Sequence, residues 1–123
     1  MTKILIIDDE PQIQTMLTKL FREEGYEVEA ASNGNQGLQM FKASSYDLVI
    51  TDIIMPEKEG LETIRDLKKI DPSVKIIVMT GGSNKYNSEM YLELGVKFGA
   101  ITAFEKPIRR NQLLKKVKEI MSN

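Results

Sequence analysis

The stretch that decides the fold is KILIIDDEP, Lys3 to Pro11. Ile4 to Ile7 are four aliphatic residues in succession, the pattern of a strand buried on both faces. They run directly into Asp8, Asp9 and Glu10, and Pro11 suits the first turn of a helix. Downstream, Ile13, Met16, Leu17, Leu20 and Phe21 recur at helical spacing until Gly25 stops the pattern. One strand, three acids and one amphipathic helix thus make a first strand-to-helix unit.

Working outward, the unit repeats. YEVEA alternates Tyr26, Val28 and Ala30 with Glu27 and Glu29, as an edge strand with one wet face would. SNGNQGLQMFKAS reads as a second helix with Leu38 and Phe41 turned inward, although its glycines weaken the pattern. LVI and KIIVM, at residues 48–50 and 75–79, read as central strands. Between them, GLETIRDLKKI carries a stripe of Leu61, Ile64 and Leu67, broken by Asp71 and Pro72. Residues 84–98 read as a fourth helix through Met90, Leu94 and Phe98, ITAFEKP as a fifth strand, and Leu113, Leu114, Val117, Ile120 and Met121 line a last helix. Five strands alternating with five helices predict an α/β fold around a parallel sheet.

Composition narrows the chemistry. The 123 residues fit one domain, 1–123, with 41% hydrophobic and 28% charged residues. The chain has no cysteine and no histidine, which excludes disulfides, thiolate nucleophiles and imidazole bases or ligands. Seventeen basic against eighteen acidic residues give a net charge of -1, without the basic excess of a nucleic-acid binder. No apolar run approaches the roughly 20 residues of a membrane helix and residues 1–9 do not resemble a signal peptide, so a cytoplasmic location is expected.

In an open parallel sheet, functional groups gather beyond the carboxyl ends of the strands. Those ends deliver Asp8 and Asp9, Asp52, Thr80 and Lys106. Two like charges about 4 Å apart repel by around 4 kcal/mol at an effective dielectric near 20, so clustered carboxylates need a cation. Oxygen donors without His or Cys favour a hard ion, and Mg²⁺ is typically held by one or two carboxylates plus waters and phosphate oxygens. Acids after a strand can also simply be a solvated helix start. For Glu10, next to Pro11, that plainer reading is preferred, because an acid there complements the helix dipole.

Taken together, ILIIDDEP, DLVITDIIMPEKEG, VMTGG and GAITAFEKP resemble, in order and across nearly the whole chain, the receiver domain of response regulators, the CheY-like superfamily. The resemblance implies a flavodoxin-like, doubly wound fold with strand order 2-1-3-4-5. It implies that Asp52 accepts a phosphoryl group from a phosphohistidine of a sensor histidine kinase or phosphotransfer protein. Asp9, Asp52 and the backbone carbonyl of Ile54 would hold Mg²⁺, with Asp8 acting through water. Lys106 would contact the phosphoryl oxygens and Thr80 would swing its hydroxyl to them, with Gly81 leaving room and the Lys106–Pro107 peptide bond cis. Met55, Pro56 and Gly60 match the family's turn after the acceptor. The switched surface would surround the fourth helix and fifth strand.

Three departures bear on mechanism. The family's usual aromatic, three residues before the lysine, is Ala103; Phe104 is adjacent and so faces the opposite side of its strand, toward the core. The interval from Thr80 to Lys106 is longer than usual, which suggests a longer or displaced fourth helix. Ile54 and Gly82 stand where relatives often carry hydrolysis-assisting polar side chains, which suggests a long-lived phosphoryl group. The expected role is a stand-alone, non-enzymatic receiver acting on a protein target. An unphosphorylated interaction module is the alternative, favoured by Ala103. A Mg²⁺-dependent phosphatase is weaker, for want of an Asp-x-Asp nucleophile pair followed by Thr. Arg109, Arg110, Lys115, Lys116 and Lys118 read as the solvated face of the last helix.

Overall fold

Alternation along the first strand sorts the core into two halves. In the computed structural model, which describes residues 2–53, 60–80 and 88–122 and, for 88–92, the backbone alone, Lys3–Ile7 forms β1. Leu5 and Ile7 enter one apolar cluster and Ile4 and Ile6 the other, because neighbouring strand residues point to opposite faces. Both clusters are fully covered, which is why the strand is aliphatic throughout rather than alternating.

The remaining elements follow the predicted order: α1 (Pro11–Glu23), β2 (Glu27–Ala31), α2 (Gly34–Ala43), β3 (Leu48–Asp52), α3 (Gly60–Ile70), β4 (Lys75–Thr80), α4 (Ser88–Phe98), β5 (Thr102–Glu105) and α5 (Arg110–Met121). The strands form one parallel sheet in the order β2-β1-β3-β4-β5. Leu17 and Phe21 of α1 and Leu113, Val117 and Ile120 of α5 cover the face of Ile4 and Ile6. Leu38 and Phe41 of α2 and Ile64 and Leu67 of α3 cover the other. No described helix is long and apolar enough to cross a membrane.

The fourth helix corrects the sequence reading. Phe98, expected inside, is 42% exposed, and Leu94 is only half-buried; among the described side chains of this helix, 93–98, the buried position is Gly95. A Cβ there would stand 2.9 Å from Val78 and 3.1 Å from Ile53, so at Gly95 α4 brings its backbone close to β4. The described helix has 11 residues, the same as α3, so among the described residues it is not longer than its neighbour. Residues 84–87 of the expected span, with Tyr86, lie outside the described residues, as do the side chains of Met90, the third expected inward residue, and Tyr91.

β5 behaves as the alternation requires. Ala103 packs on the face shared with α2 and α3, and Phe104 on the face shared with α1 and α5, beside the cluster of Met79 and Leu113. Phe104 therefore does not stand in for the missing aromatic.

Candidate functional site

The sheet reverses direction of growth at β1: β2 lies on one side and β3 on the other, leaving a crevice past their carboxyl ends. Asp8 follows β1 there, held by its own backbone. Its N–H donates to the carbonyl of Ala31 at 3.1 Å, and its carbonyl accepts from Gln14 Nε2 at 2.6 Å. Its Oδ1 accepts from the N–H of Glu10 at 2.8 Å, which leaves Oδ2 facing the crevice. Asp52 ends β3 and is 5% exposed, while Asp9 is exposed at the rim.

Lys106 reaches this crevice from the loop after β5, whose N–H donates to the carbonyl of Thr80 at 2.6 Å. Its Nζ donates to Asp52 Oδ2 at 2.9 Å and to Glu10 Oε1 at 3.0 Å. It also stands 2.9 Å from Asp8 Oδ2, an ion pair outside hydrogen-bonding angles. Asp8, Asp9, Glu10 and Asp52 can each bring an oxygen to within 4.8 Å of the others. Four carboxylates and one ammonium leave a formal charge of -3 when all are ionised.

That imbalance is visible in the proton affinities. Burial, reinforced by the charge of Asp52, pushes Asp8 up to about 6, although the Glu10 N–H and Lys106 pull the other way. For Lys106, burial opposes its charge, but the hydrogen bonds and charges of Asp52 and then Asp8 outweigh it and raise the ammonium's value. The lysine is therefore firmly cationic, and the cost of burying charge falls on Asp8.

The start of α3 meets the end of β3 in a close approach of backbones. Gly60 donates its N–H to the carbonyl of Ile53 at 2.9 Å, and a Cβ on it would fall 2.3 Å from Ile53 Cα and 2.6 Å from the Asp52 carbonyl oxygen. Only glycine fits there, which makes Gly60, the first residue of α3, part of the seat of Asp52. At the end of β4, Thr80 is fully buried and its Oγ1 has no hydrogen-bond partner among the described residues. A buried hydroxyl left unpaired costs about 1–3 kcal/mol, so this one is poised for a partner.

Of the residues picked from sequence, Asp8, Asp9, Asp52 and Lys106 come together, Thr80 lies buried on the neighbouring strand end, and the Lys106–Pro107 bond is cis as expected. Ile54, Met55, Pro56, Gly81 and Gly82 lie outside the described residues. Glu10 departs from its reading as a plain helix-start acid. It is the N-cap of α1, yet its side chain makes no capping hydrogen bond and turns to Lys106 instead. The signal for this was a third acid contiguous with the pair, whose longer side chain can reach where a dipole-complementing acid need not.

Comparisons with known proteins agree with this geometry. The response regulator receiver domain family matches residues 4–118. Sporulation initiation phosphotransferase F of Bacillus subtilis is 33% identical over 119 residues, covering 97% of this chain and 93% of that protein. The transcriptional regulatory protein CpxR homolog of Haemophilus influenzae is 32% identical over 98% of this chain, which spans about half, 51%, of that relative's length. Among solved structures, response regulator protein TrrA from Thermotoga maritima, in complex with Mg(2+)-BeF, is 37% identical with a TM-score of 0.81, covering 98% of this chain and 99% of that one. Matched by the family over residues 4–118 and carrying the strand order β2-β1-β3-β4-β5, the chain belongs to the response regulator receiver domains of two-component signalling.

Proposed function

We propose that Asp52 is the phosphoacceptor of this receiver domain and takes its phosphoryl group from a phosphohistidine of a sensor kinase or phosphotransfer protein. The observation that carries this is the placement of a buried carboxylate 2.9 Å from a lysine ammonium, inside a cluster of oxygen donors. In the step, an Asp52 oxygen attacks phosphorus, the P–N bond to the donor imidazole breaks, and the electron pair leaves on the imidazole nitrogen. The product is an acyl phosphate. Such transfer asks little covalent chemistry of the protein beyond positioning and charge neutralisation.

The donor set fits Mg²⁺: all oxygen, two members buried, and an excess of negative charge. Asp9 and Asp52 would hold it, with the Ile54 carbonyl, and Asp8 through water. When bound, the ion neutralises the transferred phosphoryl oxygens and the acid cluster. Lys106 orients the remaining phosphoryl oxygens with a compact charge and three donors. Thr80 turns its hydroxyl, unpaired among the described residues, toward them, and drawing the end of β4 inward changes the surface around α4 and β5 on which a target docks. With Ala103 in place of an aromatic, the change travels through the β4 end rather than through a ring on β5.

Incubation with Mg²⁺ and acetyl phosphate, followed by intact mass measurement, tests the proposal. Gain of one phosphoryl mass by the parent, absent from Asp52→Ala and from a chelator-treated sample, is the expected result. No gain from acetyl phosphate or from a phosphohistidine donor would overturn it in favour of an unphosphorylated interaction module, the reading that Ala103 favours.

A further inference from the structure

Glu10 is the member of the acid cluster whose part in the site is unassigned. As the N-cap of α1 it could bond the helix's own N–H groups, yet its side chain crosses to a residue 96 positions away. Three carboxylate oxygens, of Asp8, Asp52 and Glu10, surround Lys106 Nζ at 2.9, 2.9 and 3.0 Å. Two of the ammonium's three N–H bonds are donated, to Asp52 and Glu10, and Asp8 stands against it as an ion pair, so Lys106 is already engaged before any phosphoryl group arrives.

The three partners differ in how easily they let go. The side chains of Asp8 and Asp52 are 0% and 6% exposed, and taking the lysine from them strands a buried charge. That of Glu10 is 48% exposed, and water can replace the ammonium there. Resting on the function proposed above, we propose that Glu10 is a positioning residue: a releasable counter-ion that holds Lys106 over the pocket before phosphorylation and yields it to the phosphoryl oxygens afterwards.

Two consequences follow. The Lys106 amine is shielded while Glu10 holds it. The hold also favours the starting state over the transferred state, so weakening it speeds phosphorylation by about two- to fivefold, the size a half-exposed ion pair carries. Reach separates this role from bulk charge. Glu10→Gln removes the charge, whereas Glu10→Asp keeps it and withdraws it by about 1.5 Å, one carbon–carbon bond. A held ammonium predicts that both variants behave alike; simple repulsion of an anionic donor predicts that Glu10→Asp behaves like the parent.

The test uses the full chain without Mg²⁺, an amine-acylating reagent at limiting dose, and peptide mass spectrometry to follow Lys106, with exposed Lys42 and Lys97 as internal standards. Lys106 should label about two- to fivefold faster in both variants, with the standards and the thermal midpoint unchanged. With Mg²⁺ and acetyl phosphate, both variants should also gain the phosphoryl group faster, and the effect should vanish in a Lys106→Met background. Unchanged labelling, parent-like Glu10→Asp, or a rate effect that persists without Lys106 would each overturn the proposal. Failure of the parent to gain a phosphoryl group would instead strike the proposed function and the hand-over with it, while labelling, which needs no phosphorylation, still decides whether Glu10 holds Lys106.

Discussion

Lys118 stands 2.6 Å from Glu24, and Lys106 stands 2.9 Å from Asp8 and from Asp52, so by distance alone the first pair is the stronger. Their surroundings reverse that order. Lys118 joins the ends of α5 and α1 in open solvent, where Glu24's hydrogen bond and charge raise its proton affinity but water and salt compete for both partners. Lys106 is 7% exposed in its side chain and faces two buried acids that have no water to fall back on. Closeness says that two groups have met; burial says what it costs to separate them.

Deleting the buried cation is the strongest way to break the comparison. Lys106→Met should destabilise the Mg²⁺-free protein by about 3 kcal/mol in urea unfolding, near the low end for a broken buried pair because Asp8 can relieve part of the loss by taking a proton. Added Mg²⁺ should recover much of the loss, since the acid cluster then has another cation. A variant that unfolds like the parent would show that the cluster is solvated.

Geometry without charge comes next. Gly60→Ala should cost about 2 kcal/mol, because a Cβ there meets backbone rather than the end of a flexible side chain and the strand end carrying Asp52 must move. Phosphoryl uptake should fall together with stability. Unaltered uptake would separate the seat of Asp52 from its reactivity.

These positions also show what a sequence can and cannot disclose. The order of elements, the edge position of β2 and the gathering of Asp8, Asp9, Asp52 and Lys106 were legible because periodicity and strand ends are local patterns that a parallel sheet converts into three dimensions. Phe104's direction was legible for the same reason, as a matter of parity along a strand. Gly95 was not, because a search for large apolar residues passes over a position where the backbone itself makes the contact. Glu10's turn to Lys106 was signalled only by a third contiguous acid, because the turn itself depends on a rotamer choice between two satisfactory partners, a helix terminus and a distant ammonium.

Protons sharpen the comparison from the side of the acids. Asp8's value of about 6 lies above the ordinary 3.8, so between those values the folded chain holds a proton that the unfolded chain has shed. The unfolded state binding fewer protons, stability conferred by this group falls as pH rises from about 4 to about 6 and the penalty is complete above that. Without Mg²⁺, Asp8→Asn should flatten this part of the profile and raise stability at pH 7 by about 2 kcal/mol. Lys106 adds no slope in this window: its raised value keeps it charged, and its contribution is lost only at strongly alkaline pH. A parent whose stability rises from pH 4 to 6 as steeply as the variant's would remove Asp8 as the stressed member of the cluster.

The smallest effect belongs to the shortest contact. Lys118→Met should leave the thermal midpoint and the phosphoryl uptake unchanged within error at 0.15 M salt, about where the screening length falls to 8 Å. The small influence the pair has should surface only at low ionic strength, where α5 and α1 lose a surface tether between their last turns. Because the two helices are already joined through Leu17, Phe21, Val117 and Ile120 in one buried cluster, the ion pair decorates a contact that apolar packing has made. A marked loss of stability at ordinary salt would mean that the ends of α1 and α5 depend on charge as the crevice does, and that exposure is a poorer guide than the 2.6 Å separation suggests.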